Sequence, residues 1–289
     1  MRTVAILGPH GQLGTDLVKG FRAAGWAVTA AGHDTVAVED RDSVAAFLGA
    51  NPVDAVVNTA AFHQVAVCEK QIARSWAVNA AGPRNVAEAA RRVGAVAVFI
   101  STDYVFDGEI DTALSYPENA GVCPVNVYGA SKAGGEAATC AASERNLVVR
   151  ISSVFGAAGS SGKGGNFVET IVAKARAGET PTVVDDVWMS PSYTVDVAAK
   201  IRGLLDAGAS GIFHGCNDGR ITWHELATEI CEQIGADVAV QRSDTDSTAL
   251  PRRPRNSSLS TTRLAGVGIP QRSWREALSA YLRERNHIT

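Results

Sequence analysis

Tyr128 and Lys132, in the run Asn126-Val-Tyr-Gly-Ala-Ser-Lys132, stand four residues apart, so on a helix they project from one face. An ammonium beside a phenol stabilises phenolate and lowers the phenol pKa from about 10 towards a value useful for moving a proton at a carbonyl. Thr102, in Phe99-Ile-Ser-Thr-Asp-Tyr-Val-Phe-Asp-Gly108, follows an apolar run and offers a hydroxyl to the same carbonyl, with Ser101 as the alternate. Thr102, Tyr128 and Lys132 are therefore the catalytic candidates. Such a set needs a hydride source, and the N-terminal Gly8-Pro-His-Gly11-Gln-Leu-Gly14 offers a seat for one. Glycines lack a Cβ, so backbone N–H groups can approach a diphosphate, and a following helix N-terminus adds partial positive charge. The two features together point to a nicotinamide-dependent oxidoreductase.

The elements that must position these residues read clearly. Thr3–Leu7 is a buried strand, 8–14 a turn and 15–24 an amphipathic helix. Strands over 26–31, 53–58, 95–101 and 147–151 alternate with helices over about 41–49, 68–93 and 127–143. Nearly all-apolar strands separated by helices predict an α/β, Rossmann-like, doubly wound parallel sheet. Beyond Arg150 a glycine- and serine-rich loop, 156–165, precedes a helix through Arg176, a strand near Val183, a helix from Val195 and a helix over 222–235 opened by the capping box Thr222-Trp-His-Glu225. The expected division is an NAD(P)-binding part, residues 1–152 plus segments returning near 181–210, and a smaller C-terminal substrate lobe from the rest of 153–289. Ligands of open α/β sheets bind at the carboxyl edge, which that lobe would cover.

Composition frames the rest. With 289 residues and 46% hydrophobic content the chain can bury one large core, or a domain plus a lobe. A net charge of −3 argues against a nucleic-acid surface. Cys68, Cys123, Cys140, Cys216 and Cys231 are odd in number and form no C-x-x-C pair, so neither a disulfide framework nor zinc is suggested; His214 and His224 fit no metal-ligand pattern. No signal peptide precedes the first strand and no apolar run approaches a membrane span, so a cytoplasmic location without membrane partners is expected. Trp223, Trp274 and Tyr281 have helical spacings that suit core packing, whereas Trp188 either packs or faces a pocket and Met189, beside Ser190-Pro191, either packs or touches the substrate.

The second strand ends in Gly32-His33 with no carboxylate at its tip, although Asp34 follows. A carboxylate there would accept from a ribose 2′-OH and repel a 2′-phosphate. NADPH, or use of both NADPH and NADH, is the expectation, with His33 near the phosphate.

Gly8-x-x-Gly11-Gln-Leu-Gly14, Asn58-Thr-Ala-Ala61, Ser101-Thr-Asp-Tyr-Val-Phe-Asp-Gly108 and Tyr128-x-x-x-Lys132 followed by Gly135-Glu136 resemble the extended short-chain dehydrogenase/reductases, and within them the dTDP-4-dehydrorhamnose reductase branch. The likeness continues through Gly165-Asn-Phe167, Val184-Asp-Asp186, Ser190-Pro191, Gly211-Ile-Phe-His214 and Arg253-Pro-Arg-Asn-Ser257. It implies hydride transfer from NAD(P)H to the C4 ketone of a nucleotide-linked deoxysugar, with Tyr128 as proton donor. The cofactor set is then Gly8, His10, Gly11, Gln12, Leu13, Gly14, Gly32, His33, Asn58, Ala60, Ala61 and Ile151, with Tyr128 and Lys132. The substrate set is His63, Asp103, Tyr104, Ser153, Asn166 and Arg253, the last towards the diphosphate, which guanidinium suits by bidentate contact. The partner expected is this small-molecule nucleotide sugar; pairing into a homodimer stays open.

Two departures bear on the substrate. The resembled pattern carries Trp where this chain has Ser153 and Val-Asp where it has Val65-Ala66. Two other readings stay open: a nucleotide-sugar epimerase or dehydratase with retained NAD, and a non-catalytic regulatory subunit like that of methionine adenosyltransferase.

Overall fold

The structure, a computed structural model, describes residues 1–159, 165–246 and 248–289. The middle of the predicted glycine- and serine-rich loop, 160–164, lies outside the described residues.

β1 (Thr3–Leu7), α1 (Gln12–Ala23), β2 (Ala27–Ala31), α2 (Arg41–Ala50) and β3 (Ala55–Asn58) open the chain. α3 (Val65–Lys70), α4 (Ile72–Trp76), a π-helical turn Ala77–Ala81 and α5 (Gly82–Arg92) then lead into β4 (Val96–Thr102). α6 (Val127–Ala142) and β5 (Leu147–Ile151) follow. The helix expected over 68–93 is thus broken. The break falls at Gln71, whose backbone leaves the helical region at φ −124° and ψ 56°, and the π turn is a second irregularity, where the inward-turned Asn79 amide bonds both backbone groups of Phe62 at 2.9 Å each.

The remaining elements are β6 (Val154–Phe155), α7 (Phe167–Arg176), β7 (Thr182–Val184), β8 (Trp188–Met189), β9 (Ser192–Tyr193), α8 (Thr194–Asp206), β10 (Gly211–His214), β11 (Ile221–Thr222), α9 (Trp223–Gln233), β12 (Gln241–Ser243), α10 (Thr262–Gly266) and α11 (Trp274–Glu284). The central sheet is six-stranded and parallel, in the order β2-β1-β3-β4-β5-β10. Its winding reverses between β1 and β3, which opens a crevice at the carboxyl edge. The strand near Val183 does not join this sheet; β7 pairs with β12 in the lobe. The chain returns to the sheet through α8, packed on α1, and β10, paired with β5.

Alternation along β1 shows how the layers form. Val4 and Ile6 face the core shared with α1 and α8, whereas Ala5 and Leu7 face the one shared with α2 and α5. The lobe has its own core, including Phe155, Ile171, Leu226, Trp274, Leu278 and Tyr281. The capping box at Thr222 is present, its hydroxyl accepting from Glu225 N at 3.1 Å.

A buried polar cluster ties strands to lobe. Arg150 on β5 meets Glu136 on α6 through two bonds of 2.8 and 2.7 Å. Its remaining nitrogen faces Glu118 O at 3.3 Å and His214 Nε2 at 3.4 Å. Nδ1 of His214 lies 2.9 Å from Ser260 O, so the ring is the neutral tautomer that donates from Nδ1 and accepts from Arg150. Burial and the neighbouring guanidinium push the His214 pKa down to about 3. Its folded pKa therefore lies below the ordinary value of about 6.5, the unfolded chain takes the proton first, and stability falls as pH drops through that window, by at most about 1.4 kcal/mol per pH unit. Urea midpoints measured from about pH 7 to about pH 4 should decline less steeply in His214→Asn than in the parent; parallel declines would contradict this account.

Candidate active site

A cleft of about 960 Å³ lies at the carboxyl edge between sheet and lobe. The glycine turn forms one end. Gly8 has φ +82°, and a Cβ there would press on Thr59 Oγ1, whose hydroxyl donates to Leu7 O at 2.7 Å. A Cβ on Gly14 would overlap the Gly8 carbonyl oxygen, so the turn and the first turn of α1 close up only without side chains at these positions. Gly8, Gly11, Gln12, Leu13 and Gly14 line the cleft, with His33, Ala60, Ala61 and Ile151. His10, Gly32 and Asn58 do not. The His10 ring lies against Gly32, and Asn58 sits beneath, its Oδ1 accepting from Ala60 N at 3.0 Å and so shaping the 58–61 turn.

Two buried polar atoms in this end have no hydrogen-bond partner among the described residues, Gln12 Oε1 and Asn58 Nδ2. A turn that closes only on glycine at 8 and 14, a helix N-terminus and the unspent Gln12 Oε1 on the cleft wall fit a dinucleotide with its diphosphate on α1.

Thr102, Tyr128 and Lys132 meet in the middle of the cleft. Asn126 caps α6, accepting from Gly129 N at 2.8 Å, and Gly129 packs directly on the Tyr104 carbonyl, where a Cβ would collide. That close approach sets the first turn of α6 beside the end of β4. Lys132, 2% exposed, donates to Ile100 O at 2.5 Å and stands 4.1 Å from the Phe99 ring centroid. Burial lowers its pKa to about 7, against the pull of Glu136.

The phenol departs from the expectation drawn from the four-residue spacing. Burial pushes the Tyr128 pKa up, aided by Asp103 and offset in part by the Thr102 hydroxyl. The ammonium is spent on a backbone carbonyl and an aromatic face, so desolvation wins and the phenol stays neutral. A neutral phenol is the form that can give a proton.

His63, Asp103, Tyr104, Ser153, Asn166 and Arg253 all line the cleft. Ser153 has φ +46°, a left-handed conformation that a non-glycine residue holds only where its surroundings impose it. Asn166 spends its amide locally: it caps α7 at Glu169 N, 3.1 Å, and donates to Gly156 O and the Tyr281 hydroxyl. Arg253 is exposed at the rim, carried by a segment whose Pro254 and Arg255 lie on Gly108 so closely that a Cβ would clash. That contact links the Ser101–Gly108 and Arg253–Ser257 motifs.

Sequence reasoning missed several residues. Glu39, Val36 and Val38 line the cleft near His33; Arg74 stacks 5.1 Å over Phe62; Lys174 joins Arg253 along a side cavity of about 370 Å³. Trp223 packs against the lobe core as expected, and it also stands edge-on to Phe167 at 4.7 Å and walls both cavities. Lys174, unlike Arg253, carried no signal in sequence, because α7, α9 and the 253 segment are far apart along the chain. Among the described residues no group of three or more His, Cys, Asp or Glu is placed to hold a metal, no helix is long and apolar enough to cross a membrane, and all five cysteines are free.

A doubly wound parallel sheet with a glycine turn at its switch point and a Thr–Tyr–Lys set at its carboxyl edge defines an oxidoreductase of the extended short-chain dehydrogenase/reductase type. Residues 1–287 match the RmlD substrate binding domain family, and the chain belongs to it. It is 36% identical over 287 residues to the spore coat polysaccharide biosynthesis protein SpsK of Bacillus subtilis, covering 99% of each chain. It is also 36% identical over 284 residues to a dTDP-4-dehydrorhamnose reductase of Streptomyces griseus, covering 95% of this chain and 91% of that one. The crystal structure of dTDP-4-dehydrorhamnose reductase from Bacillus anthracis in complex with NADP superposes with TM-score 0.91 at 31% identity, covering 98% of this chain and all of that one.

Lys132 carries a stability cost with a definite pH signature. Its folded pKa, about 7, lies below the usual lysine value, so the folded protein binds fewer protons than the unfolded chain between those values. Stability therefore falls as pH drops from about 10.5 to about 7 and stays at the lower level below. Thermal unfolding should show Lys132→Met more stable than the parent by roughly 2 kcal/mol at neutral pH, with the gain shrinking towards pH 10. A gain that did not vary with pH would contradict the assignment.

Proposed function

We propose that this protein is an NADPH-dependent reductase of a nucleotide-linked 4-keto-deoxysugar of the dTDP-4-dehydrorhamnose kind. The observation that carries the proposal is the meeting of Thr102, Tyr128 and Lys132 in one cleft with the glycine turn. Family membership, the named reductases among the relatives and the NADP in the Bacillus anthracis structure support it.

NADPH, when bound, supplies the hydride and leaves as NADP⁺. Gly8 to Gly14 and the α1 N-terminus would hold its diphosphate, the 58–61 turn and Ile151 would flank the nicotinamide, and His33 would sit by the 2′-phosphate, where no acidic strand tip opposes it. Tyr128, neutral through burial, donates its proton to the C4 oxygen as that oxygen gains charge, converting ketone to alcohol. Thr102, 6% exposed at the end of β4, offers a second hydroxyl to the same oxygen. Lys132 supplies positive charge behind the phenolate left after transfer. Arg253 at the rim suits the sugar nucleotide's diphosphate, and Tyr104 and His63 suit the sugar.

Oxidation of NADPH in the presence of dTDP-4-dehydrorhamnose, with NADH as comparison, tests the reading directly. Tyr128→Phe should lower kcat about a thousand-fold while NADPH affinity, read by fluorescence titration, stays within a few-fold. A variant with unimpaired turnover would remove Tyr128 from the reaction, and absence of turnover in the parent would remove the substrate class.

A further inference from the structure

The carboxyl of Asp103 sits under the reacting hydroxyls, 4% exposed, and three hydroxyl groups converge on it. Ser152 Oγ donates to Oδ2 at 2.7 Å and Ser257 Oγ to the same oxygen at 2.5 Å. Thr102 Oγ1 donates to Oδ1 at 3.0 Å. Ser152 follows β5, and Ser257 belongs to the segment that carries Arg253, so the carboxyl joins the sheet edge to the lobe. No cation pairs with it among the described residues. The titratable groups that feel its charge are Tyr104 on its own turn, Tyr128 on α6 and Cys216 after β10. Lys132 and Arg253 lie in the same cleft, the latter acting on Tyr104.

Counting protons on Thr102 exposes a conflict. A hydroxyl has one hydrogen to donate and two lone pairs to accept with. The Thr102 oxygen accepts from Tyr104 N at 3.2 Å. If its one hydrogen is committed to an Asp103 carboxylate, Thr102 cannot also donate to a substrate oxygen, and its free lone pair would draw the Tyr128 hydrogen away from that oxygen. If Oδ1 instead carries a proton and donates it to Thr102, the threonine hydrogen is free to turn into the cleft.

We infer that Asp103 is a positioning residue, whose carboxyl in its protonated form turns the Thr102 hydroxyl from an acceptor into a donor aimed at the reacting oxygen. The inference rests on the proposed reductase reading for the identity of that oxygen, but not for the state of the carboxyl. Burial without a counter-charge raises the Asp103 pKa, which favours the neutral acid that the geometry requires, and the three hydroxyl donors oppose it.

Infrared difference spectra, parent minus Asp103→Asn, test the state of the carboxyl without turnover. A protonated-carboxyl band is expected in the parent at neutral pH, fading as pH rises; no such band at any pH where the protein is folded would overturn the inference. Thr102→Val removes one donor that favours the carboxylate, so it should shift that titration upward, and an unmoved titration would break the proposed coupling. Should Asp103→Asn fail to fold, the parent minus Thr102→Val spectrum carries the same band shift.

In kinetics, the asparagine amide can donate to Thr102 at every pH. Asp103→Asn should lose the decline of kcat that accompanies ionisation of Asp103, whatever its effect on the plateau value of kcat. A purely structural clasp would instead lower Tm and leave the pH profile intact, which would also overturn the inference. If no 4-keto nucleotide sugar is reduced by the parent, the functional reading fails while the spectra still decide the state of Asp103.

Discussion

Inside the protein, Arg150 and Glu136 face each other with both charges out of water, 1% and 4% exposed. A buried pair of this kind is tolerated only if its hydrogen-bonding capacity is met, because stranding either partner costs about 3–5 kcal/mol. Here the capacity is met from several elements. Ser101 on β4 donates to Glu136 at 2.6 Å, the backbone at Glu118 takes one guanidinium nitrogen, and the neutral His214 on β10 faces the same nitrogen. The Arg150 guanidinium also lies over Phe106, 4.9 Å from its centroid. Three sheet strands and α6 are therefore locked in one register relative to each other. Tyr128 and Lys132 project from that same α6, two turns and one turn before Glu136 respectively, so their aim into the cleft is inherited from the ion pair.

A second theme is the price in stability of keeping polar groups dry at the cleft. Lys132 and Asp103 are both buried and both shifted towards their neutral forms. Both carry a desolvation cost that hydrophobic side chains of similar volume would not. Each is held by groups that would otherwise have no reason to converge, Ile100 O and Phe99 for the lysine, and Thr102, Ser152 and Ser257 for the aspartate. The same logic applies to the left-handed Ser153 on the cleft wall. Strain, buried charge and unspent polar atoms gather at one end of the sheet, and the cores on its two faces and in the lobe carry the compensating apolar burial.

Much of this was legible beforehand, and the exceptions share a cause. Five of the six strands of the sheet, the glycine turn, the capping box at Thr222 and the placing of Thr102, Tyr128 and Lys132 in one cleft depend on periodicity or on spacings within a few residues, whereas β10 was not read as a strand. The π turn in the helix after Cys68 was not legible, since it sits where Asn79 bonds Phe62 seventeen positions away. The pairing of β7 with β12 rather than with the central sheet was hidden for the same reason. Trp223 has the spacing of a core residue and packs on the lobe core, and the meeting of α7 with α9 gives it a second face on a cavity wall, which spacing did not show.

The sequence by itself determined the parallel doubly wound sheet and the place of the glycine turn, and it named Thr102, Tyr128 and Lys132 as residues of one cleft, because these follow from local sterics, side-chain period and chemical type. Tertiary structure alone decided their electrostatic state. The spacing of Tyr128 and Lys132 promises an acidified phenol, whereas in the fold desolvation raises the phenol and lowers the ammonium. Whether a charge is stabilised depends on what surrounds it in three dimensions, and the residues that enclose these two, Phe99, Ile100, Thr102 and Asp103, reach them only when β4 and α6 are packed together.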